Sequence, residues 1–522
     1  MRGGLESAKP RFCQSLAQGL KRFLRVACVG VAKKRQPIEP GQLACCSQIA
    51  RLSQPNRVRC WPIKLMYRGI WRLRVLPFKL VPMKAYRASI LWFAPHSEGP
   101  VRALFEEDGL LVVGPNAAGT QVVQAVGAYR DLAGQYAGVA VEHFPGRIIA
   151  PGFVDLHIHY PQTHVIGSPA DGLLPWLENY TFPEEKRFVA PEYSAQAATF
   201  FIAELLRNGV TTALTFATSH TESVNALFTE AQAQRMRMIT GLCLMDRNAP
   251  ADLLNSASSD GRVSATEQSL RDTEALIQRW HGKDRLGYAI TPRFAPTCTD
   301  AQLRGAGDLA KQYPDVWIQS HVAENKDEIV WARELFPQSR SYLATYDDFG
   351  LMRRRAVYAH CIHFDDADRA LMRDTGAAAA ISPTSNLFLG SGFFDYAGAD
   401  RVGLQYGLAS DVGGGTSFSP FHTMLGAYYV GREGQTKQGL SLHPQHLWWQ
   451  HTAGAARALG LEGVVGNLLP GCEADFVVLN PKATPLLARK TSLAANLDEL
   501  LFSMVVLGDD RLVERTVISQ AI

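Results

Sequence analysis

The chain of 522 residues is 47% hydrophobic and 20% charged, an ordinary balance for a globular protein. Its 53 Lys and Arg and 49 Asp and Glu are segregated: residues 1–82 hold 17 of the bases and only two acids, Glu6 and Glu39, leaving residues 83–522 with 36 bases against 47 acids. An acidic body argues against nucleic-acid binding; nine cysteines with no CxxC pair argue against a disulfide framework or a thiolate zinc site and fit a reducing, cytoplasmic setting; no run of about 18 apolar residues predicts a membrane span.

Residues 1–82 have no sustained period. The longest apolar stretch, 26–32, is broken by Gly30 and followed by Lys33-Lys34-Arg35, which is short for a secretory core. The segment reads as a basic N-terminal extension, either disordered or outside the working protein. Three origins stay open: sequence upstream of a working start at Met83, an Arg-rich but serine-poor transit peptide, and a basic tail for anionic partners.

From Met83 onward, strand-like runs at 86–93, 110–113 and 147–150 are separated by turns such as Val113-Gly114-Pro115-Asn116. The far end repeats the pattern: 463–468, a turn at Pro470-Gly471, then 475–479. The two ends, 83–150 and 463–522, are expected to form one small β-sandwich. Between them, at 151–462, apolar runs alternate with helical patterns. Helix 195–208 stops at Gly209 before a strand at 211–216. Helix 300–313 carries Leu303, Ala306 and Leu309 at helical spacing before a strand at 316–321. This alternation predicts an α/β fold, a distorted (β/α)8 TIM barrel, whose chemistry gathers at the C-terminal ends of the strands.

The ends of those strands hold the candidate site. In Val154-Asp155-Leu156-His157-Ile158-His159 the strand period of two points both imidazoles the same way, so one rigid element offers a metal two nitrogens. His321 ends a second strand, and Glu324 follows where the chain turns, in reach for proton transfer or, alternatively, as a charge at the helix start Lys326-Asp327-Glu328. His360 ends a third strand, able to ligate or to hydrogen-bond water or substrate. Asp411 ends a fourth, before Gly413-Gly414-Gly415, whose glycines allow close backbone approach. On residue types alone this is a metal that activates water. His164 and His363 read as bystanders, Cys361 as a small buried hydrophobe, Trp176 as lid packing, and His220 as either pocket or scaffold.

The stretches HIHYPQ, LLPWLENYTFPEE, TPRFAPTC, SHVAENKDEI, AHCIHFDDAD, SPTSNLFLGSGFF and ASDVGGGTSF together resemble the guanine deaminases of the amidohydrolase superfamily, over essentially residues 83–522. The resemblance implies one zinc ion per subunit on His157, His159, His321 and Asp411, with His360 contacting water and product. It implies that Gln162, Arg293 and Phe294 hold the purine beside His321, Glu324 and Asp411. It also implies a homodimer. The chemistry that follows is zinc-activated water attacking C2 of guanine, with Asp411 taking the proton and Glu324 delivering one to a ring nitrogen and the leaving ammonia. A different aminopurine or triazine as substrate, or a non-catalytic scaffold of the same fold, are the competing readings. The thiolate nucleic-acid deaminases need a PCxxC that is absent.

Overall fold

A computed structural model describes residues 83–95, 101–169, 171–434 and 442–519. The expectations for residues 1–82 lie outside the described residues. Strands are β1 (Lys84–Phe93), β2 (Ala103–Pro115), β3 (Gln121–Ala128), β4 (Ala140–Pro151), β5 (Phe153–His159), β6 (Val210–Phe216), β7 (Arg237–Gly241), β8 (Cys243–Leu244), β9 (Leu286–Pro292), β10 (Trp317–Val322), β11 (Ala356–His360), β12 (Ala378–Ile381), β13 (Gln405–Leu408), β14 (Phe476–Leu479) and β15 (Val513–Val517).

Both ends of the body meet in a six-stranded mixed sheet ordered β15-β14-β4-β1-β2-β3. It curls over its own core. The N–H of Val123 in β3 donates to the Cys472 carbonyl (2.8 Å) and that of Ala474 to the Gln121 carbonyl (3.1 Å), so β3 returns to the segment that leads into β14. Tyr86, Ile90, Trp92, Leu111, Phe476 and Val478 fill the space enclosed. β2 and β4 run longer than their apolar patterns suggested. Glu106 is half-buried and Glu107 and Asp108 are exposed, so polar side chains interrupt the pattern without interrupting the strand.

The second sheet is parallel, in the order β13-β12-β11-β10-β9-β7-β6-β5, with β8 beside β9. β5, β6 and β9 are buried along their whole length, which is why they read as apolar runs rather than alternating ones. The barrel closes at its C-terminal mouth: the Asp411 N–H donates to the His157 carbonyl and the His159 N–H to the Val412 carbonyl, both at 2.9 Å. At the other end, helix Ala453–Ala458 packs against the interior residues Val154, Leu156 and Ala409. Gly407 permits this approach, because a Cβ there would stand 2.7 Å from Leu156 Cδ1 and 2.9 Å from Ala455 Cα.

The two predicted helices are present as Pro191–Arg207 and Asp300–Gln312. The first starts earlier than its pattern because Pro191 fits the first helical turn. It ends where Gly209 takes φ 83°. No helix among the described residues is long and apolar enough to cross a membrane.

Candidate active site

The strand ends converge on a group of facing donor atoms. His157 Nε2 lies 3.2 Å from His159 Nε2 and 3.1 Å from Asp411 Oδ1. His159 Nε2 lies 3.1 Å from His321 Nε2 and 3.6 Å from Asp411 Oδ1. His321 Nδ1 is 2.6 Å from the Arg293 carbonyl, so Nδ1 carries the proton and Nε2 faces the group as a lone pair. Burial, then the neighbouring imidazoles, hold His159 and His321 well below the usual histidine range, and burial lowers His157 against the pull of Asp411. Burial raises the Asp411 carboxyl, but the His157 and His360 rings more than reverse this and leave it lowered. The donors fall in two overlapping groups that share His157: His157, His159 and His321, and His157, His360 and Asp411, each with its ligand atoms within 4.8 Å of one another. Donors about 2.0–2.1 Å from one zinc ion stand roughly 3.3 Å apart in a tetrahedron. The donor set therefore fits a single divalent cation, and this nitrogen and oxygen mixture suits zinc, iron or manganese.

Beside this group lie a fourth imidazole and a second carboxyl, His360 and Glu324. His360 Nδ1 is 2.9 Å from Asn386 Oδ1, which fixes a proton there and turns Nε2 toward Glu324 Oε2 (3.4 Å) and Asp411 Oδ2 (3.9 Å). Burial lowers the His360 pKa, but Glu324 and Asp411 outweigh it and the net shift is upward. Glu324 accepts a hydrogen bond from Ser391 Oγ (3.1 Å). Burial, opposed by His360 and reinforced by Asp411, pushes its carboxyl up to about 7. The helix expected after it is present as Lys326–Leu335, closed by an Asn325–Glu328 capping box, and Glu324 stands just ahead of it facing the cleft. His360 and Asp411 both take left-handed backbone angles, φ 73° and 51°. For non-glycine residues this costs on the order of 1–3 kcal/mol each, a strain that sits where the strands must turn their last side chains inward.

Above these groups opens a cleft lined by both polar and apolar side chains. Gln162, Trp176, Arg293 and Phe294 share its wall with His159 and Glu324. Residues 148–519 match the Amidohydrolase family. This chain belongs to the amidohydrolase family. It is 42% identical to the guanine deaminase of Escherichia coli (strain K12) over 413 residues, 79% of this chain and 90% of the relative. It is 34% identical to a probable guanine deaminase of Deinococcus radiodurans over 439 residues, 83% and 97% of the two chains. The solved E. coli guanine deaminase matches with a TM-score of 0.77 at 40% identity, covering 83% of this chain and 98% of that one. The C. acetobutylicum guanine deaminase, solved with bound guanine in the active site, matches with a TM-score of 0.74 at 29% identity, covering 84% and 98%.

In this amidohydrolase the residues predicted for the site are neighbours in space, and three partners were missed, Glu185, Asn386 and Ser391. Glu185, fully buried, receives both Nη1 and Nη2 of Arg293, the latter at 3.0 Å, and the Gln162 side-chain N–H at 3.0 Å. It lies in the LLPWLENYTFPEE stretch, which marked the region but did not single it out. Asn386 and Ser391, which hold His360 and Glu324, lie likewise in SPTSNLFLGSGFF. Trp176 is 2% exposed, lines the cleft and packs with Val165 and Leu389. His164 faces away, bonding Glu184 and Tyr193. His220 is the N-cap of helix Thr221–Ala233 and does not line the cleft. His363 Nε2 donates to the Ser391 carbonyl (3.0 Å), and Cys361 is buried.

Proposed function

We propose that this amidohydrolase converts guanine and water to xanthine and ammonia. The observation that carries the reading is the sharing of one cleft by Gln162, Arg293 and Phe294 with the His–Asp cluster and Glu324. Two relatives that bear the guanine deaminase name support it.

His157, His159, His321 and Asp411 would hold one zinc ion per subunit, which supplies Lewis-acid activation of water. Phe294 gives the purine a face to stack on. Arg293 offers donors to O6 or N7, and the Gln162 amide reads the adjoining edge. With the ring held flat, C2 faces the polar floor. Asp411 accepts the proton of the attacking water. Glu324 carries a proton at its carboxyl up to about pH 7 and gives it to a ring nitrogen as C2 becomes tetrahedral. It then takes the proton of the C2 hydroxyl as the carbonyl forms and delivers it to the departing ammonia, and the proton held on Asp411 returns to Glu324 past His360, which lies between the two carboxyls. His360 orients the water and the new oxygen on C2.

The supporting unit is 83–150 with 463–522 and the catalytic unit is 151–462. The working enzyme is a cytoplasmic homodimer. Incubation of the full chain, and of 83–522 beside it, with guanine tests the reading by absorbance and ammonia release, with adenine and cytosine as controls. Guanine alone is expected to react, a chelator is expected to abolish the reaction, metal analysis is expected to find one zinc per chain, and light scattering a dimer. Metal-loaded protein that leaves guanine intact overturns the reading.

A further inference from the structure

The geometry points to Glu185 as a positioning residue that sets the choice of a 6-oxo over a 6-amino purine, an assignment that rests on the guanine reading of the same site. Glu185 touches neither the donor cluster nor Glu324. Its carboxylate instead bridges two side chains from different barrel loops, Gln162 after β5 and Arg293 after β9. It belongs to the helical segment 173–189, which also brings Leu174 and Trp176 to the cleft wall.

The bridge fixes what the two side chains have left to offer. A carboxylate only accepts, so Gln162 must turn its NH2 group toward Glu185. The Gly413 N–H donates to Gln162 Oε1 from the other side (3.3 Å), which makes the same choice of amide orientation. One N–H and one acceptor lone pair remain on Gln162. Arg293 commits two of its five N–H groups to Glu185 and keeps three donors and no acceptor. Its guanidinium also lies over the Phe182 ring at 5.5 Å, which restrains its plane.

This remaining set matches a lactam edge. O6 and N7 of a 6-oxopurine accept from Arg293, and N1–H and O6 suit the donor–acceptor pair on Gln162. A 6-amino group in the same place turns its own donors on the guanidinium and leaves buried polar groups unpaired. Glu185 holds the selection by keeping both side chains in the orientation that rejects the amine. Its negative charge also balances Arg293, so the recess suits a neutral base.

The test is the ratio of kcat/KM for guanine to that for 2,6-diaminopurine, which carries an amine at C6 and therefore no proton at N1. Where the second is turned over too slowly, its competitive inhibition constant replaces it. Glu185→Gln is expected to lower this ratio by about 10- to 100-fold, mainly through a higher KM for guanine, with zinc content and Tm tracked alongside. Equal losses on both purines, or an unchanged ratio, overturn the assignment and leave Glu185 a scaffold residue. If Glu185→Gln does not accumulate as folded protein, Glu185→Asp carries the test: its shorter carboxylate reaches fewer partners, so a smaller fall in the same ratio is expected, and an unchanged ratio overturns the assignment. A wild-type chain inactive on guanine instead overturns the guanine reading, so the two failures are distinct.

Discussion

The floor and the wall of the cleft are built differently. The floor stands on strand ends: His157 and His159 on β5, His321 on β10, His360 on β11 and Asp411 just past β13, joined to β5 by the hydrogen bonds that close the barrel. The wall stands on loops and short helices, with Gln162, Arg293 and Phe294 held from behind by Glu185. A strand fixes a side chain through its pleat and its neighbours. A loop residue needs a partner to fix it, and here one buried carboxylate serves two of them. The floor is thus rigid through the backbone, and the wall through a side-chain bridge.

Breaking the floor has the largest expected effect. His159→Ala or Asp411→Ala should remove bound metal and lower guanine turnover by more than the roughly 10²–10⁴-fold that a single general acid contributes, with metal content and activity falling together. Glu324→Gln separates chemistry from metal binding. It should lower kcat by about 10²–10⁴-fold while metal content stays at the wild-type level. The same residue predicts a pH limb: its carboxyl, raised to about 7, donates only while protonated. Activity should therefore fall as pH rises above about 7, and this fall should disappear in Glu324→Gln. A kcat profile flat from pH 6 to 9 in the wild type contradicts that role.

The wall breaks through stability as well as binding. Arg293→Met leaves the fully buried Glu185 without its cation, and breaking a buried pair from one side costs on the order of 3–5 kcal/mol. Denaturant melts should register that loss, and KM for guanine should rise. For contrast, Arg271 pairs with Glu267 on the exposed face of helix Ala265–Trp280. Arg271→Ala should change stability by only about 0.3–0.5 kcal/mol and leave KM untouched. Similar losses from the two arginine variants erase the distinction between a buried bridge and a surface pair.

Floor and wall also differ in how far the sequence revealed them. His157 and His159 share a face because strands have a period of two, and the apolar Val154, Leu156 and Ile158 that alternate with them mark the strand as buried on both sides. That much is local. Glu185 is not: it follows Glu184 directly, and nothing nearby says which acid turns inward. In the fold both are buried: Glu184 bonds His164, Arg187 and Tyr193 away from the cleft, whereas Glu185 reaches the cleft residues Gln162 and Arg293, 23 and 108 positions away in the chain. Asn386 and Ser391 were hidden for the same reason, since their partners His360 and Glu324 come from other strands. The edge stretches of β2 and β4 escaped because a strand with one wet face carries charges that break an apolar pattern.

The central claim is that this floor activates water against guanine when a single divalent ion is present. Protein stripped by a chelator and titrated with zinc, with guanine turnover followed at each addition, tests it most directly. Activity is expected to be absent at the start, to rise linearly and to level off at one equivalent per chain. Bound zinc at one equivalent without guanine turnover, or full turnover in the stripped protein, contradicts the account.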